Sequence, residues 1–156
     1  MSGLLIIGYD GSDEAGHAIE AAATIARATD AIVANVWQPA VLATSAFPHA
    51  APAEPLSEQE DAALEQAARR IADEGVQRAA DAGLRARPEL RCGAAGDIGD
   101  VLEAMAEEYD ADLIVIGRRN SSWLESAVFG SAWKDAVRHS RRPVLVVPHS
   151  DAGQDQ

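Results

Sequence analysis

The 156-residue chain carries 13 lysine and arginine residues against 25 aspartate and glutamate residues, a formal net charge of −12. Hydrophobic residues make up 47% and charged residues 24% of the sequence, as in ordinary globular domains. The acidity disfavours general binding to nucleic-acid backbones and to anionic membrane surfaces, because both attract basic faces. The length suits one domain with a substantial core, which we expect over residues 1–149, followed by a flexible polar tail at 150–156.

A single cysteine, Cys92, excludes an internal disulfide framework and a multi-cysteine zinc site. We interpret Cys92 as a small core residue rather than a reactive thiol. The four histidines show no metal-ligand spacing, so we expect no metal site built from protein side chains. No signal-peptide pattern occurs at the N-terminus, and no apolar run is long enough to span a bilayer. We therefore expect a cytoplasmic protein that binds neither membranes nor nucleic acids.

Hydrophobic patterning predicts two strands and a helix before the first proline-rich region. Leu4–Ile7 is a short apolar run, which is typical of a strand buried on both faces. Ser12 follows as a helix N-cap, and apolar residues at helical spacing predict a helix over 13–29. Ala31–Val36 is the second apolar strand. From 38 to 56 the sequence is rich in proline and alanine, which predicts a loop.

The rest of the chain alternates helices with strands. A capping box at Ser57 opens a long helix that ends near Gly83. Leu84–Cys92 contains a proline and is predicted as an edge strand, and Gly93–Gly99 is predicted as a turn. Further along we predict a helix around 101–106, a strand at Asp112–Ile116, a helix at Ala132–Ser140 and a strand at Pro143–Val147.

This alternation predicts a five-stranded parallel sheet with helices on both faces, the Rossmann-like α/β class. Right-handed crossovers with one reversal of winding give the strand order 3-2-1-4-5. The switch point then lies between the first and fourth strands, where ligands bind at the carboxyl ends. The two most glycine-marked loops, Gly8–Ser12 and Gly117–Ser131, follow these two strands. We therefore expect the functional site at this edge of the sheet.

The loop after the fourth strand has the composition of an anion site. It reads Gly117-Arg118-Arg119-Asn120 and, nine residues later, Gly130-Ser131. Glycines allow a backbone to approach a phosphate closely, and a helix beginning at Ser131 would offer a hydroxyl and N–H groups. The segment 118–142 contains six lysine and arginine residues against two acids. From residue types alone, an anion site and a glycine-punctuated turn with a solvated basic patch are equally open.

Asp10 ends the first strand and faces the same crevice in this topology. Its carboxylate could accept hydrogen bonds from ribose hydroxyls or from an adenine amino group. The alternative, which the residue types favour on their own, is that Asp10-Gly11-Ser12 serves only as a turn and a helix cap.

Three segments, taken together and in order, carry a family resemblance. They are Ile7–Ser12 (IGYDGS), Gly96–Gly117 with its ending ADLIVIG, and Gly130-Ser131 ahead of Arg142–Val147 (RPVLVV). In these segments the chain resembles the universal stress protein family over nearly its whole length. The resemblance implies a Rossmann-like sheet of the adenine nucleotide alpha hydrolase-like type and a regulatory or signalling module in stress adaptation.

The family's ATP-binding branch carries the pattern Gly-x2-Gly-x9-Gly-Ser/Thr, and here Asn120 stands where the second glycine is expected. Asparagine is the next-best residue at a positive φ, so the resemblance still implies ATP binding, with Mg²⁺ accompanying the phosphates. Ala132 would supply only its backbone N–H. By position, the resemblance implies that Asp10 and Val36 would contact the nucleoside and that Gly8 and Tyr9 would form the floor of the site. The residues that would line the phosphates and ribose are Gly117, Asn120, Gly130, Ser131 and Ala132.

Two competing functions stay open. The first is a nucleotide-free dimeric stress protein that acts through protein partners, which Asn120 favours. The second is a nucleotide-using enzyme on the same sheet, but its signature loops are absent from the sequence. No positioned base or nucleophile is evident, so we expect no catalytic residues, with slow ATP hydrolysis left open. The resemblance also implies a homodimer, and an apolar last strand, Val144–Val147, at a sheet edge gives a physical reason for pairing.

Overall fold

The computed structural model describes residues 3–26, 30–37, 58–93, 98–118 and 132–148. Five strands and four helices alternate along these ranges. They are β1 (Leu4–Gly8), α1 (Asp13–Ile25), β2 (Asp30–Trp37), α2 (Glu58–Asp81), β3 (Arg85–Cys92), α3 (Ile98–Glu108), β4 (Leu113–Arg118), α4 (Ala132–His139) and β5 (Val144–Pro148).

The five strands form one parallel sheet in the order β3-β2-β1-β4-β5, which confirms the predicted fold. β1 lies at the centre, where Ile6 stands opposite Ile32 of β2 on one side and Ile114 of β4 on the other. The winding direction reverses between β1 and β4, so the carboxyl ends of these strands diverge into separate loops. The switch point is therefore where the sequence predicts it.

Side chains alternate along the central strands and build one core on each face of the sheet. Leu5 and Ile7 of β1 pack on the face covered by α1, whereas Ile6 packs on the face covered by α3. All three are at most 1% exposed, which explains the uninterrupted apolar run in β1. Small residues let the helices lie close to the sheet, among them the buried alanines Ala15, Ala18, Ala22, Ala72 and Ala79.

Two helix boundaries differ from the predictions. The helix predicted over 13–29 ends at Ile25, and the residues at 27–29 lie outside the described ranges. α3 begins at Ile98, so Gly99 is buried in its first turn rather than part of the predicted turn. No helix in the described part of the chain has the length and apolar character that a membrane crossing requires.

The prediction that Cys92 is a core residue is wrong. Cys92 is exposed, because it is the last residue of β3 and β3 is an outermost strand of the sheet. The edge position of β3 itself is as predicted. The loop predicted at 38–56, the capping residue Ser57 and the tail at 150–156 lie outside the described residues.

Candidate functional site

A cleft opens at the carboxyl edge of the sheet, at the switch point between β1 and β4. Its walls come from the ends of β1, β2 and β4, the start of α1 and the first turns of α3. About 590 Å³ of space, which includes open solvent, lies between these walls. Five of the residues singled out in the sequence line it: Gly8, Tyr9, Asp10, Val36 and Gly117.

The remaining predicted site residues belong to the loop after β4 and the start of α4. Asn120, Gly130 and Ser131 lie outside the described residues. Ala132 is the first residue of α4. The structure therefore describes the part of the predicted site that is formed by β1, β2 and the end of β4.

Asp10 organises the turn that joins β1 to α1. Its Oδ1 accepts hydrogen bonds from the Ser12 N–H, at 2.9 Å, and from the Ser12 hydroxyl. The Ser12 hydroxyl oxygen in turn accepts from the Ala15 N–H at 3.2 Å and caps α1. Gly11 has φ +84°, which glycine adopts without steric cost. The turn-and-cap role is thus present; it engages Oδ1 of an exposed carboxylate whose residue also lines the cleft.

The Tyr9 side chain points away from the cleft. Its hydroxyl donates to Glu74 Oε1 of α2 at 2.6 Å, and the residue is only 2% exposed. Burial, helped by this hydrogen bond, raises the pKa of Tyr9 to about 12. A Cβ at Gly75 would lie 2.7 Å from the Tyr9 ring, so the glycine makes room for it. Tyr9 therefore contributes its main chain, and not its ring, to the predicted floor.

Asn35 was not predicted as a site residue, although it lines the cleft. It is the one buried polar residue in the described ranges, at 6% exposure. Its Nδ2 donates to the Tyr9 carbonyl at 2.9 Å, beyond the Gly8–Ala34 pair that ends the β1–β2 register. The available signal was one amide in the otherwise apolar stretch AIVANVW.

Gly117 brings the end of β4 against the first turn of α1. A Cβ at this position would lie 2.6 Å from the Glu14 carbonyl oxygen and 3.0 Å from the Ala15 nitrogen. Both are main-chain atoms, so no side-chain rotation could make room. Gly117 thus has a packing role as well as its place in the cleft.

The opposite wall of the cleft is apolar and comes largely from α3 and β4. Ile98, Leu102 and Ile116 line it together with Val36, and all four belong to or pack on the core between the sheet and α3. A Cβ at Gly8 would lie 3.2 Å from Leu102 Cδ1, so the glycine keeps this wall open. Apart from Val36 and Gly8, these residues were not predicted, because nothing local in a helix pattern marks which turn borders a cleft.

The basic segment 118–142 does not gather at one place. Arg118 ends β4 at the carboxyl edge, whereas Arg142 lies at the amino edge, where its guanidinium donates to the Ala111 carbonyl and lies 3.2 Å from Asp110 Oδ1. The positive charge counted along 118–142 is therefore not all available at the cleft, because α4 carries the chain between the two edges. Within the described ranges, no three His, Cys, Asp or Glu residues are placed to hold a metal ion.

A Rossmann-like sheet with a cleft at its switch point defines a class of α/β proteins that bind small ligands at the strand ends. Within that class, the sequence model of the universal stress protein family matches residues 1–148. The chain belongs to the universal stress protein family.

Individual relatives agree with this assignment. Universal stress protein G of Salmonella typhimurium is 48% identical over 52 residues, which are 33% of this chain and 36% of that protein. The matched stretch thus spans about a third of the length of the curated relative. A solved universal stress protein family structure from Burkholderia pseudomallei is 26% identical with a TM-score of 0.66, over 95% of this chain and 97% of that one. A universal stress protein solved in complex with cAMP is 28% identical with a TM-score of 0.63, over 92% and 95%.

Proposed function

We propose that this protein binds ATP, with Mg²⁺ on the phosphates, in the switch-point cleft and acts as a cytoplasmic regulatory module in stress adaptation. The observation that carries the proposal is that Gly8, Asp10, Val36 and Gly117 line one cleft at the switch point of the sheet. The relative solved with cAMP supports an adenine nucleotide as the class of ligand. The site belongs to the single domain proposed over 1–149.

The walls of the cleft favour one orientation of the ligand. The apolar wall of Val36, Leu102 and Ile116 suits the faces of a purine base, which would lose little by leaving water there. Asp10 Oδ2 would accept hydrogen bonds from ribose hydroxyls, since Oδ1 is already used by the turn.

The charges around the cleft favour one side of it for the phosphates. Asp10, Asp13 and Glu14 make the start of α1 acidic, so the phosphates would lie away from it, towards Arg118 at the end of β4. Asn120, Gly130, Ser131 and the Ala132 N–H, which follow β4 in the sequence, remain the proposed phosphate ligands. Mg²⁺ would neutralise phosphate charge, and it would be held by the nucleotide rather than by a protein metal site.

We propose binding rather than efficient turnover. The titratable side chains of the described cleft lining are Tyr9 and Asp10. The raised pKa of Tyr9, about 12, keeps its phenol protonated, and its hydroxyl faces Glu74 rather than the cleft. Asp10 Oδ1 is engaged in the turn. These groups favour a stable complex over activation of a nucleophile, and slow hydrolysis is compatible with the proposal.

The proposal includes a homodimer formed through β5. This strand pairs only with β4 within the described sheet, and its residues Val144–Val147 are apolar and half-buried. The opposite edge, β3, carries Pro88 and four charged residues, features that discourage strand pairing. Pairing of two β5 edges about a two-fold axis would cover the apolar one.

Calorimetric titration with ATP and Mg²⁺ tests the nucleotide site, after denaturation of a sample to release any co-purified nucleotide. Val36→Phe fills the nucleoside part of the cleft and should weaken binding at least ~10-fold. Leu4→Phe is the matched control, because Leu4 packs on the same core at the amino edge of the sheet. It should bind like the wild type.

The outcomes separate the candidate functions. Micromolar binding that Val36→Phe weakens at least ~10-fold and Leu4→Phe retains would support the site. No binding and no released nucleotide would favour the nucleotide-free dimer that acts through protein partners. Phosphate release at about 1 s⁻¹ or faster, as typical enzymes reach, would instead favour the enzyme alternative.

A further inference from the structure

The end of α4 is joined to α3 by one carboxylate. Glu103 Oε1 accepts a hydrogen bond from the Arg141 N–H at 3.1 Å, and Oε2 accepts from the Ser140 hydroxyl. The Ser140 oxygen itself accepts from the Arg142 N–H at 3.1 Å, and the Ser140 N–H donates to the Ala136 carbonyl of α4 at 2.9 Å. Glu103 therefore holds the main chain at the point where α4 ends.

The other described contacts hold α4 less firmly. Of the α4 side chains whose burial the structure describes, Ala136 alone is buried. A second contact between the two helices, from His139 Nδ1 to Asp100 Oδ1 at 3.6 Å, joins side chains that are both more than half exposed, so it contributes little. By contrast, α3 is fixed to the sheet by residues such as Leu102, which is 1% exposed. Among the described contacts, the position of α4 thus depends strongly on Glu103.

A carboxylate is not what the end of a helix favours on its own. The partial negative charge at a helix C-terminus attracts cations, and α4 supplies Arg138 and His139 in its last turn. Glu103 is half-buried, so its charge depends on the two hydrogen bonds that Ser140 and Arg141 donate. Loss of the carboxylate would leave both donors without this acceptor and free the end of α4. The joint therefore requires a hydrogen-bond acceptor at position 103.

The joint connects two sides of the cleft. Leu102, the residue before Glu103, lines the apolar wall of the cleft, as does Ile98 at the start of α3. From the joint, the eight residues of α4 span about 12 Å back to Ala132, where the proposed phosphate ligands lie. Glu103 therefore links the helix that would hold the purine to the helix that would hold the phosphates.

We propose that Glu103 is a positioning residue that holds α4 against α3 and thereby sets the affinity of the cleft for the phosphates of a nucleotide, but not for its nucleoside. The inference rests on the proposed nucleotide site. The nucleoside needs the wall on α3, which the core fixes without Glu103, whereas the phosphates need the start of α4 at a set distance from that wall. With the joint broken, α4 would have to be ordered on binding, so the phosphates would add less affinity.

Amide hydrogen exchange of the nucleotide-free protein, followed by NMR, tests the joint by itself. In Glu103→Ala the Arg141 amide should exchange at least ~10-fold faster than in the wild type, because it loses its acceptor. Glu103→Gln should restore slow exchange, since an amide oxygen can accept from Arg141 and an amide N–H can donate to the Ser140 oxygen. Glu107→Ala is the matched control, because Glu107 is exposed and lies one turn further along α3. Equal exchange of the Arg141 amide in Glu103→Ala and Glu107→Ala would overturn the proposal.

Affinities for ATP with Mg²⁺ and for adenosine, measured by NMR titration, test the coupling to the site. Glu103→Ala should weaken ATP binding at least ~10-fold and leave adenosine binding within ~2-fold of the wild type, whereas Glu103→Gln and Glu107→Ala should keep both. A purely structural role would weaken both ligands alike; that result, or no loss of either, would refute the role of Glu103 and leave the nucleotide site standing. ATP binding without detectable adenosine binding in the wild type would overturn the division of roles between α3 and α4. Absence of ATP binding in the wild type would overturn the nucleotide site and with it this coupling, even where the exchange result holds.

Discussion

Gly117→Ala tests the close contact between β4 and the first turn of α1. The added Cβ would lie 2.6 Å from the Glu14 carbonyl oxygen and 2.7 Å from its carbon, distances that real Cβ atoms essentially never show. Relief requires α1 to move at the turn that Ser12 caps. Overpacking against backbone costs about 1–3 kcal/mol and a disturbed cap about 1 kcal/mol more, so we expect a loss of about 2–4 kcal/mol.

Urea unfolding followed by circular dichroism measures this loss, and Gly16→Ala is the control. A Cβ at Gly16 would meet the guanidinium of Arg78, the end of a flexible and partly exposed side chain that can rotate away. Alanine also favours helix over glycine by about 1 kcal/mol, so Gly16→Ala should match or exceed wild-type stability. If the two variants unfold at the same urea concentration, the argument from the main-chain contact at Gly117 is refuted.

Three further predictions concern single contacts. Tyr9→Phe removes the donor to Glu74 and should cost about 1 kcal/mol near neutral pH. Because folding raises the pKa of Tyr9 to about 12 from 10.0, wild-type stability should fall as the pH rises between these values, where only the unfolded chain loses the proton. Urea unfolding over this range should show a smaller decline for Tyr9→Phe, and equal slopes would contradict the assignment. Asp110 has φ +51°, which costs a non-glycine residue more than its exposed ion pair with Arg142 contributes. Asp110→Gly should therefore stabilise the protein by about 0.5–1 kcal/mol. A lower urea midpoint would show that the ion pair contributes more than the backbone conformation costs. In the proposed homodimer, Val146→Lys places a charge on the apolar β5 edge and should give a monomer in light scattering where the wild type gives a dimer; a persistent dimer would exclude that interface.

The fold could be predicted because its signals are local and mutually consistent. The apolar runs of β1 and β4 mark buried parallel strands, and helical periodicity marks the segments between strands. Right-handed crossovers then restrict the strand order. The errors lie at the ends: β2 runs over Asp30–Trp37 rather than Ala31–Val36, because hydrogen bonding to β3 continues one residue beyond the apolar pattern on each side.

The site was only partly predictable, because much of it depends on where side chains point and where helices carry the chain, which residue types alone do not determine. Gly8, Asp10 and Val36 line the cleft, since they lie at the carboxyl ends of the neighbouring strands β1 and β2, beside the switch point. The Tyr9 ring faces α2, and the chain at Arg142 lies at the far edge of the sheet. Charge counted along a segment says little about charge at a site when a helix carries that segment across the molecule.

Near β1 and β2 the cleft offers main-chain groups more than side chains, and this changes which residues determine its chemistry. Tyr9 and Val36 line it, and the main-chain N–H and C=O of Tyr9 are both bonded, to Ala34 and to the Asn35 side chain. What is particular to this chain is the set of residues that place those groups: Gly11 in the turn, Asn35 at the ladder end and Gly117 against α1. Truncating a residue that lines the cleft would leave its N–H and C=O in place, whereas changing one of these three would displace them. For the proposed nucleotide site, loss of binding should therefore follow substitution of these three residues more closely than truncation of the other lining side chains.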